Sequence, residues 1–93
     1  MARPALQLIV RGRVQGVGYR WWAVGQAKAL SLHGWVRNRR DGSVEILAIG
    51  ATQALESLAA ACGRGPTAAS VSAVERATAA DDGSLGFDQR PTA

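Results

Sequence analysis

The sequence predicts an α+β domain with a βαββαβ order of elements. Three observations predict it: apolar residues alternate in several short segments, two other segments carry apolar residues at helical spacing, and an Asp-Gly pair separates two of the alternating segments. Because 93 residues provide for one hydrophobic core, we expect residues 1–93 to form a single domain.

The first strand, the first helix and the second strand follow from these spacings. In residues 6–13, LQLIVRGR, the apolar residues Leu6, Leu8 and Val10 share one face of a strand. From Arg20 to about Leu30, apolar residues recur at the spacing of an amphipathic helix: Ala23, Val24, Ala27 and Leu30. Ser31 to His33 ends this helix, and Gly34 leads into the strand WVRNR.

The remaining elements are marked by turn residues and caps. Asp41-Gly42 predicts a two-residue type I′ hairpin turn between WVRN and SVEILAIG, with positive φ at both positions. Thr52 is the expected N-cap of a helix over residues 53–62, with Glu56 near its positive end. VSAVERATA then forms another strand, and residues 85–90 form a short closing segment.

This order is the ferredoxin-like arrangement, with two helices on one face of an antiparallel sheet and a possible short extra C-terminal strand. The right-handed crossover rule makes the first two strands parallel, with the third inserted between them. The loop that follows the first strand and the end of the second strand therefore lie at the same edge of the sheet. We expect GRVQGVGYR, residues 12–20, to meet VRNR there.

Composition excludes several classes of protein. No apolar run approaches the roughly 18 residues that cross a bilayer, and the N-terminus lacks a signal-peptide pattern. The single cysteine, Cys62, suits a reducing compartment, so we expect a cytoplasmic protein that does not bind membranes. All seven acidic residues lie at Asp41 or later, whereas eight of the eleven basic residues lie at or before Arg40, which favours an anionic ligand.

The segment GRVQGVGYR combines three glycines with two arginines between a strand and a helix. Backbone N–H groups of such a loop can bind phosphate at the positive end of the helix. The dinucleotide fingerprint fails because Trp21 stands where its third glycine is needed, and no Gly-Lys-Ser/Thr of a Walker loop follows. The first forty residues also hold no carboxylate, so we expect neither a metal nor a cofactor.

Several motifs together resemble the acylphosphatase family. GRVQGVGYR is similar to the family's phosphate-binding loop, LSLHGWVRN to its second strand, DGSVE to its hairpin and GPTAASVSAVE to the approach into its last long strand. The resemblance runs from about Leu8 to Glu75, with a fainter match in GFDQR. Tyr19 stands where phenylalanine is commoner, and Ser31 replaces a usual glycine at the helix end.

The resemblance implies an enzyme that hydrolyses small acyl phosphates to a carboxylate and inorganic phosphate. Arg20 would bind the phosphate, and Asn38 would orient the attacking water. The phosphate-binding loop would comprise Gly12, Arg13, Val14, Gln15, Gly16, Val17, Gly18 and Tyr19. A carboxylate leaves without a general acid, and we expect a substrate phosphate oxygen to accept the water proton. Activity should therefore survive EDTA and vary weakly with pH near neutrality.

Two other functions fit the same order of elements. One is an RNA-binding module, but the first and third strands, LQLIVRG and SVEILAIG, lack the aromatic residues on which bases stack, so we expect no nucleic-acid partner. The other is a non-catalytic or accessory domain, since similar units begin larger carbamoyl-transferring maturation proteins. The chain stops at Ala93 with no further domain, so we expect a free-standing enzyme. We also expect it to be a monomer. Tyr19, Trp22 and Trp35 are expected in the core or in a pocket wall.

Overall fold

The structure, a computed structural model, describes residues 3–93. Its elements are β1 (Ala5–Arg13), α1 (Tyr19–Ala29), β2 (His33–Asn38), β3 (Val44–Ile49), α2 (Thr52–Arg64), β4 (Ser70–Thr78) and β5 (Phe87–Gln89). The sheet order is β4-β1-β3-β2-β5. The pairs β4–β1, β1–β3 and β3–β2 are antiparallel, and β5 runs parallel to β2. This confirms the predicted ferredoxin-like fold and its short C-terminal strand.

β3 fixes the directions of β1 and β2 by pairing antiparallel with both of them. Val44 of β3 lies opposite Val10 of β1 on one side and opposite Asn38 of β2 on the other. β1 and β2 are therefore parallel, as predicted. The loop that leaves β1 and the last residue of β2 emerge at one edge of the sheet.

Both helices cover the same face of the sheet and form the main core with it. The side chains that the sheet contributes to this core belong to alternate residues of each strand, as the strand period requires. The core joins Leu8, Val10, Val36, Val44 and Ile46 of the sheet to Ala23 and Ala27 of α1 and to Leu55, Leu58 and Cys62 of α2. The two alanines are small, so α1 can pack close to the strands that carry the site.

The opposite face of the sheet carries a second, smaller cluster of Trp35, Leu47 and Ile49. Trp35 therefore lies neither in the main core nor in the wall of the cleft described below. Its indole N–H donates to the Asp82 carboxylate (3.1 Å), and the guanidinium of Arg37 lies 4.6 Å from its ring centroid. The hydrogen bond to Asp82 attaches the segment before β5 to this face of the sheet.

The hairpin between β2 and β3 exists, but its turn is not the predicted two-residue type I′ turn. Only Gly42 of the Asp41-Gly42 pair has a positive φ (91°). The Gly42 N–H donates to the Arg39 carbonyl and the Arg39 N–H to the Ser43 carbonyl, which encloses a three-residue loop. The Asp41 side chain accepts hydrogen bonds from the Ser43 N–H and hydroxyl, which stabilise a conformation with negative φ at Asp41.

The predicted N-cap of α2 is also wrong by one residue. Ala51 occupies the N-cap with extended backbone, no side chain caps the helix, and Thr52 is already helical. The Leu55 N–H donates to the Ala51 carbonyl (3.0 Å), so helical bonding begins one residue earlier than the Thr52 hydroxyl suggested. Glu56 pairs with Arg76 of β4.

α1 ends in a Schellman motif with Ser31 in the left-handed region (φ 57°). The Leu32 N–H donates to the Ala27 carbonyl (2.9 Å) and the Ser31 N–H to the Lys28 carbonyl (3.0 Å). Ser31 is the residue that replaces a usual glycine, and it is the only non-glycine residue with positive φ among residues 3–93. Its side chain therefore strains this helix end.

We expect Ser31→Gly to raise the free energy of unfolding by about 0.5–1 kcal/mol, because glycine adopts positive φ without steric cost. Urea denaturation of the wild type and the variant measures the change. Ser31→Ala is the matched control, since it removes the hydroxyl but keeps the Cβ, and it should give no gain. A loss of stability in Ser31→Gly would contradict the assignment of strain.

Candidate active site

Residues 14–18 connect β1 to α1 and leave a row of backbone N–H groups at the start of the helix. Gly16 and Gly18 have positive φ (71° and 78°), and Gly18 is the N-cap of α1. The Trp22 N–H donates to the Gly18 carbonyl (3.0 Å). The N–H groups of residues 15–18 meet no protein acceptor within residues 3–93. Donors at a helix N-terminus form a binding site for an anion.

A cleft of about 130 Å³ lies between this loop, the start of α1 and the ends of β2 and β5. Two predicted catalytic residues, Arg20 and Asn38, both line it. Its other lining residues are Val14, Gly16, Gly18, Tyr19, Trp21 and Gln89. The structure thus brings the predicted loop and the end of the second strand together, although Arg20 and Asn38 belong to different elements.

Arg20 is the second residue of α1, and its side chain is half-buried. Within residues 3–93 it forms no ion pair, whereas Arg3, Arg11, Arg37 and Arg76 each pair with a carboxylate. A cation at a helix N-terminus is disfavoured by the helix dipole, and a half-buried charge without a partner adds to that cost. Both costs fall when an anion binds beside Arg20.

Asn38 ends β2 on the same face as the buried Val36, beneath the helices. Its backbone carbonyl accepts a hydrogen bond from the Ala93 N–H (3.1 Å). Its Oδ1 is the only buried side-chain oxygen or nitrogen atom of residues 3–93 that has no hydrogen-bond partner. Because buried polar atoms are normally satisfied, this oxygen is suited to accept a hydrogen bond from a molecule in the cleft.

Four residues of the predicted loop, Gly12, Arg13, Gln15 and Val17, do not line the cleft. Gly12 has a positive φ at an irregularity of the β1–β4 pairing, and a Cβ there would lie 2.2 Å from the Ser70 carbonyl oxygen, so the position requires glycine. Arg13 is exposed, and Val17 packs against the main core.

The Gln15 side chain fixes the loop to the neighbouring hairpin. Its Nε2 donates to the carbonyl oxygens of Arg39 (2.8 Å) and Ser43 (2.9 Å). Arg39 follows Asn38 directly in the chain. Gln15 therefore sets the distance between the loop and the end of β2. Its backbone N–H is one of the loop N–H groups without an acceptor among residues 3–93.

The Tyr19 side chain is part of the main core, and the residue also lines the cleft. It is 1% exposed, and its hydroxyl donates to the Cys62 carbonyl (2.8 Å). Burial raises the pKa of Tyr19 far above its usual value and raises that of Cys62 to about 11. Neither group is a proton acceptor or nucleophile at neutral pH.

Apart from Tyr19 and Arg20, no residue with an ionisable side chain among residues 3–93 lines the cleft. His33 lies at the opposite end of β2 from Asn38, where its Nδ1 accepts a hydrogen bond from the Gly86 N–H (2.8 Å). Hydrogen bonds from Ser43 lower the pKa of Asp41 to about 2, so this carboxylate is a weak base. A reaction in the cleft must therefore proceed without a carboxylate or imidazole of the described chain.

Two lining residues, Trp21 and Gln89, were not predicted for the site. Gln89 reaches the cleft because β5 pairs parallel with β2, where Val36 lies opposite Gln89. Three residues give little periodicity, so the pairing of β5 has no local sequence signal. Trp21 follows Arg20 directly in α1 and could have been suspected from that adjacency.

Residues 3–93 show neither a metal site nor a membrane-spanning helix. No group of three or more His, Cys, Asp or Glu side chains is arranged to hold a metal ion. Neither of the two helices in this part of the chain has the length and hydropathy of a membrane span.

Residues 6–89 match the family model described as Acylphosphatase. An "Acylphosphatase" of Bradyrhizobium diazoefficiens is 52% identical over 82 residues, covering 88% of this chain and 83% of the relative. The crystal structure of acylphosphatase from Bacillus subtilis superposes with a TM-score of 0.90 at 38% identity, covering 94% of this chain and 98% of that one. Full-length HypF matches at 20% identity and a TM-score of 0.89 over 12% of its own chain, a likeness of fold alone.

We expect inorganic phosphate to stabilise the protein through Arg20, because a ligand that binds only the folded state raises the free energy of unfolding. Above the Kd the rise is about 1.4 kcal/mol for each tenfold increase in phosphate. Thermal unfolding at constant ionic strength measures it. Arg20→Ala should abolish the effect and Arg76→Ala, which removes an arginine already paired with Glu56, should retain it. Equal stabilisation of Arg20→Ala would place the anion elsewhere.

Proposed function

The chain belongs to the acylphosphatase family, whose members are hydrolases acting on acid anhydrides, and we propose that it hydrolyses the carboxyl–phosphate bond of small acyl phosphates at the cleft. One observation carries the choice of site: the unsatisfied Oδ1 of Asn38 and the unpaired guanidinium of Arg20 line the same cleft at the start of α1. The oxygen can accept a hydrogen bond from a water molecule, and the guanidinium can bind the negatively charged phosphoryl group.

In the proposed complex, the phosphoryl oxygens bind to Arg20 and to the backbone N–H groups that precede α1. Arginine offers a planar pair of donors that matches two phosphate oxygens. Since the loop donors have no acceptor among the described residues, binding the dianion displaces no hydrogen bond seen in the structure. The same donors stabilise the charge on the equatorial oxygens in the transition state.

Asn38 is proposed to orient the water that attacks phosphorus. Its Oδ1 accepts a hydrogen bond from the water, which directs a lone pair of the water oxygen toward the bound phosphoryl group. The new bond joins the water oxygen to phosphorus, while the bond from phosphorus to the acyl oxygen breaks and its electron pair leaves with the carboxylate. The products are a carboxylate and inorganic phosphate.

The lining residues suit this leaving group. A carboxylate departs without protonation, so the absence of a carboxylic acid or imidazole from the described lining does not hinder the step. The water must still lose a proton. A phosphoryl oxygen of the substrate is the acceptor in this proposal, because Tyr19 and Cys62 have raised pKa values and Asp41 a lowered one.

Two alternatives are less well supported. An RNA-binding module of this fold stacks bases on aromatic side chains of its central strands, but β1 and β3 carry none, and Trp35 of β2 is buried against Asp82 and Arg37. An accessory role rests on the likeness to HypF, which is one of fold alone. The Bradyrhizobium and Bacillus relatives, by contrast, are matched over most of their length.

We further propose that residues 1–93 act as one domain, as a monomer, in the cytoplasm. The support is one continuous sheet with a single main core and a buried, unpaired Cys62, which is typical of proteins from reducing compartments. Neither a metal nor a cofactor takes part in the proposed mechanism.

We expect Arg20→Ala and Asn38→Ala to impair hydrolysis of acetyl phosphate in different ways when EDTA is present. Arg20→Ala should lower kcat/KM by about 10²–10³-fold and abolish inhibition by inorganic phosphate, because binding and transition-state contacts are both lost. Asn38→Ala should lower kcat by about 10²-fold and leave the phosphate inhibition constant nearly unchanged, because only the water loses its partner. Steady-state kinetics with phosphate as inhibitor measures both effects.

Arg76→Ala serves as the control for a change in net charge and should behave as the wild type. Wild-type rates in both site variants would refute the assignment of the residues. A wild-type enzyme that loses activity in EDTA and regains it with a divalent metal would refute the mechanism.

A further inference from the structure

Trp21 is one of two large hydrophobic side chains exposed in residues 3–93, with 76% of its surface accessible. It is the third residue of α1, and side chains of a helix lean toward its N-terminus. The indole therefore projects toward the mouth of the cleft and lines it. An indole in this place contributes little to the folded core.

A second cavity, a groove of about 420 Å³, begins at the same indole and runs along α1. It is lined by Trp21, Trp22, Val24, Gly25, Gln26 and Lys28, so its surface is mainly apolar with polar groups at its far side. Gly25 lies one turn after Trp21, and a Cβ at Gly25 would meet no atom within 4 Å. The absence of a side chain at Gly25 keeps the groove open.

The two cavities differ in size in a way that matters for an acyl phosphate. A cavity of about 150 Å³ holds one benzene-sized molecule, so the cleft of about 130 Å³ holds a phosphoryl group and a water. Any acyl group beyond the smallest must lie outside it. The groove has the volume and apolar lining of a small-molecule site, and Trp21 joins it directly to the cleft.

We propose that the groove along α1 receives the hydrocarbon part of the acyl group, so that the enzyme prefers acyl phosphates with medium-length apolar acyl chains. This inference rests on the proposed function, since the phosphoryl group must be held at Arg20. The bound phosphoryl group fixes one end of the substrate at the mouth of the groove, and the chain then covers the exposed face of Trp21. Trp21 and Gly25 determine this specificity.

The test compares acetyl phosphate with hexanoyl phosphate, two substrates whose carboxylate leaving groups have similar basicity. A fully buried methylene group gains about fourfold in affinity, so four methylene groups half covered by an open groove should raise kcat/KM about 15-fold. Gly25→Gln places a polar side chain in the groove and should reduce this preference to near unity while leaving acetyl phosphate hydrolysis within about twofold. Trp21→Ala should also reduce the preference.

Gly63→Gln is the matched control, because Gly63 is also a helical glycine at which a Cβ would meet no atom within 4 Å. It should keep the preference of the wild type. Equal kcat/KM for both substrates in the wild type, or an unchanged preference in Gly25→Gln, would overturn the inference while acetyl phosphate hydrolysis supports the proposed function. Failure of the wild type to hydrolyse either substrate would overturn the proposed function, and this inference with it.

Discussion

The pairing of β3 with both β1 and β2 is the constraint on which the site depends. Val10, Val44 and Asn38 form one row across these three strands, and the row lies close to the edge where the chain leaves β1. Because β1 and β2 must run in the same direction, the loop of residues 14–18 and the end of β2 face each other across the start of α1. The two hydrogen bonds of Gln15 to the hairpin then fix their separation.

This arrangement brings several polar groups without protein partners together in one place. Within residues 3–93, Arg20 has no carboxylate partner, the loop N–H groups have no acceptor and Asn38 Oδ1 has no donor, whereas every other buried side-chain oxygen or nitrogen atom has a hydrogen-bond partner. Binding of a phosphoryl group and a water molecule would give all of these groups hydrogen-bond partners. The core formed by the sheet and the helices holds the elements that carry them in place.

Much of the fold and of the site could be predicted from the sequence, because alternation along the strands and the crossover rule act over short, regular segments. They predict that residues 12–20 meet the end of the second strand, and the resemblance to the family then singles out Arg20 and Asn38 within these two segments. Other features depend on long-range contacts: Gln89 reaches the cleft only through the parallel pairing of β5. The turn at Asp41-Gly42 was predicted wrongly because Ser43 hydrogen bonds favour negative φ at Asp41. The cap at Thr52 was wrong because Ala51 already begins helical bonding.

The central claim is that water attacks phosphorus in the cleft rather than the carbonyl carbon of the acyl group. Hydrolysis of acetyl phosphate in water enriched in oxygen-18, followed by mass spectrometry of both products, tests it directly. The account predicts that the heavy oxygen appears in inorganic phosphate and that acetate stays unlabelled, since Arg20 holds the phosphoryl group next to the water bound by Asn38. Heavy oxygen in acetate would show attack at carbon and would contradict the account.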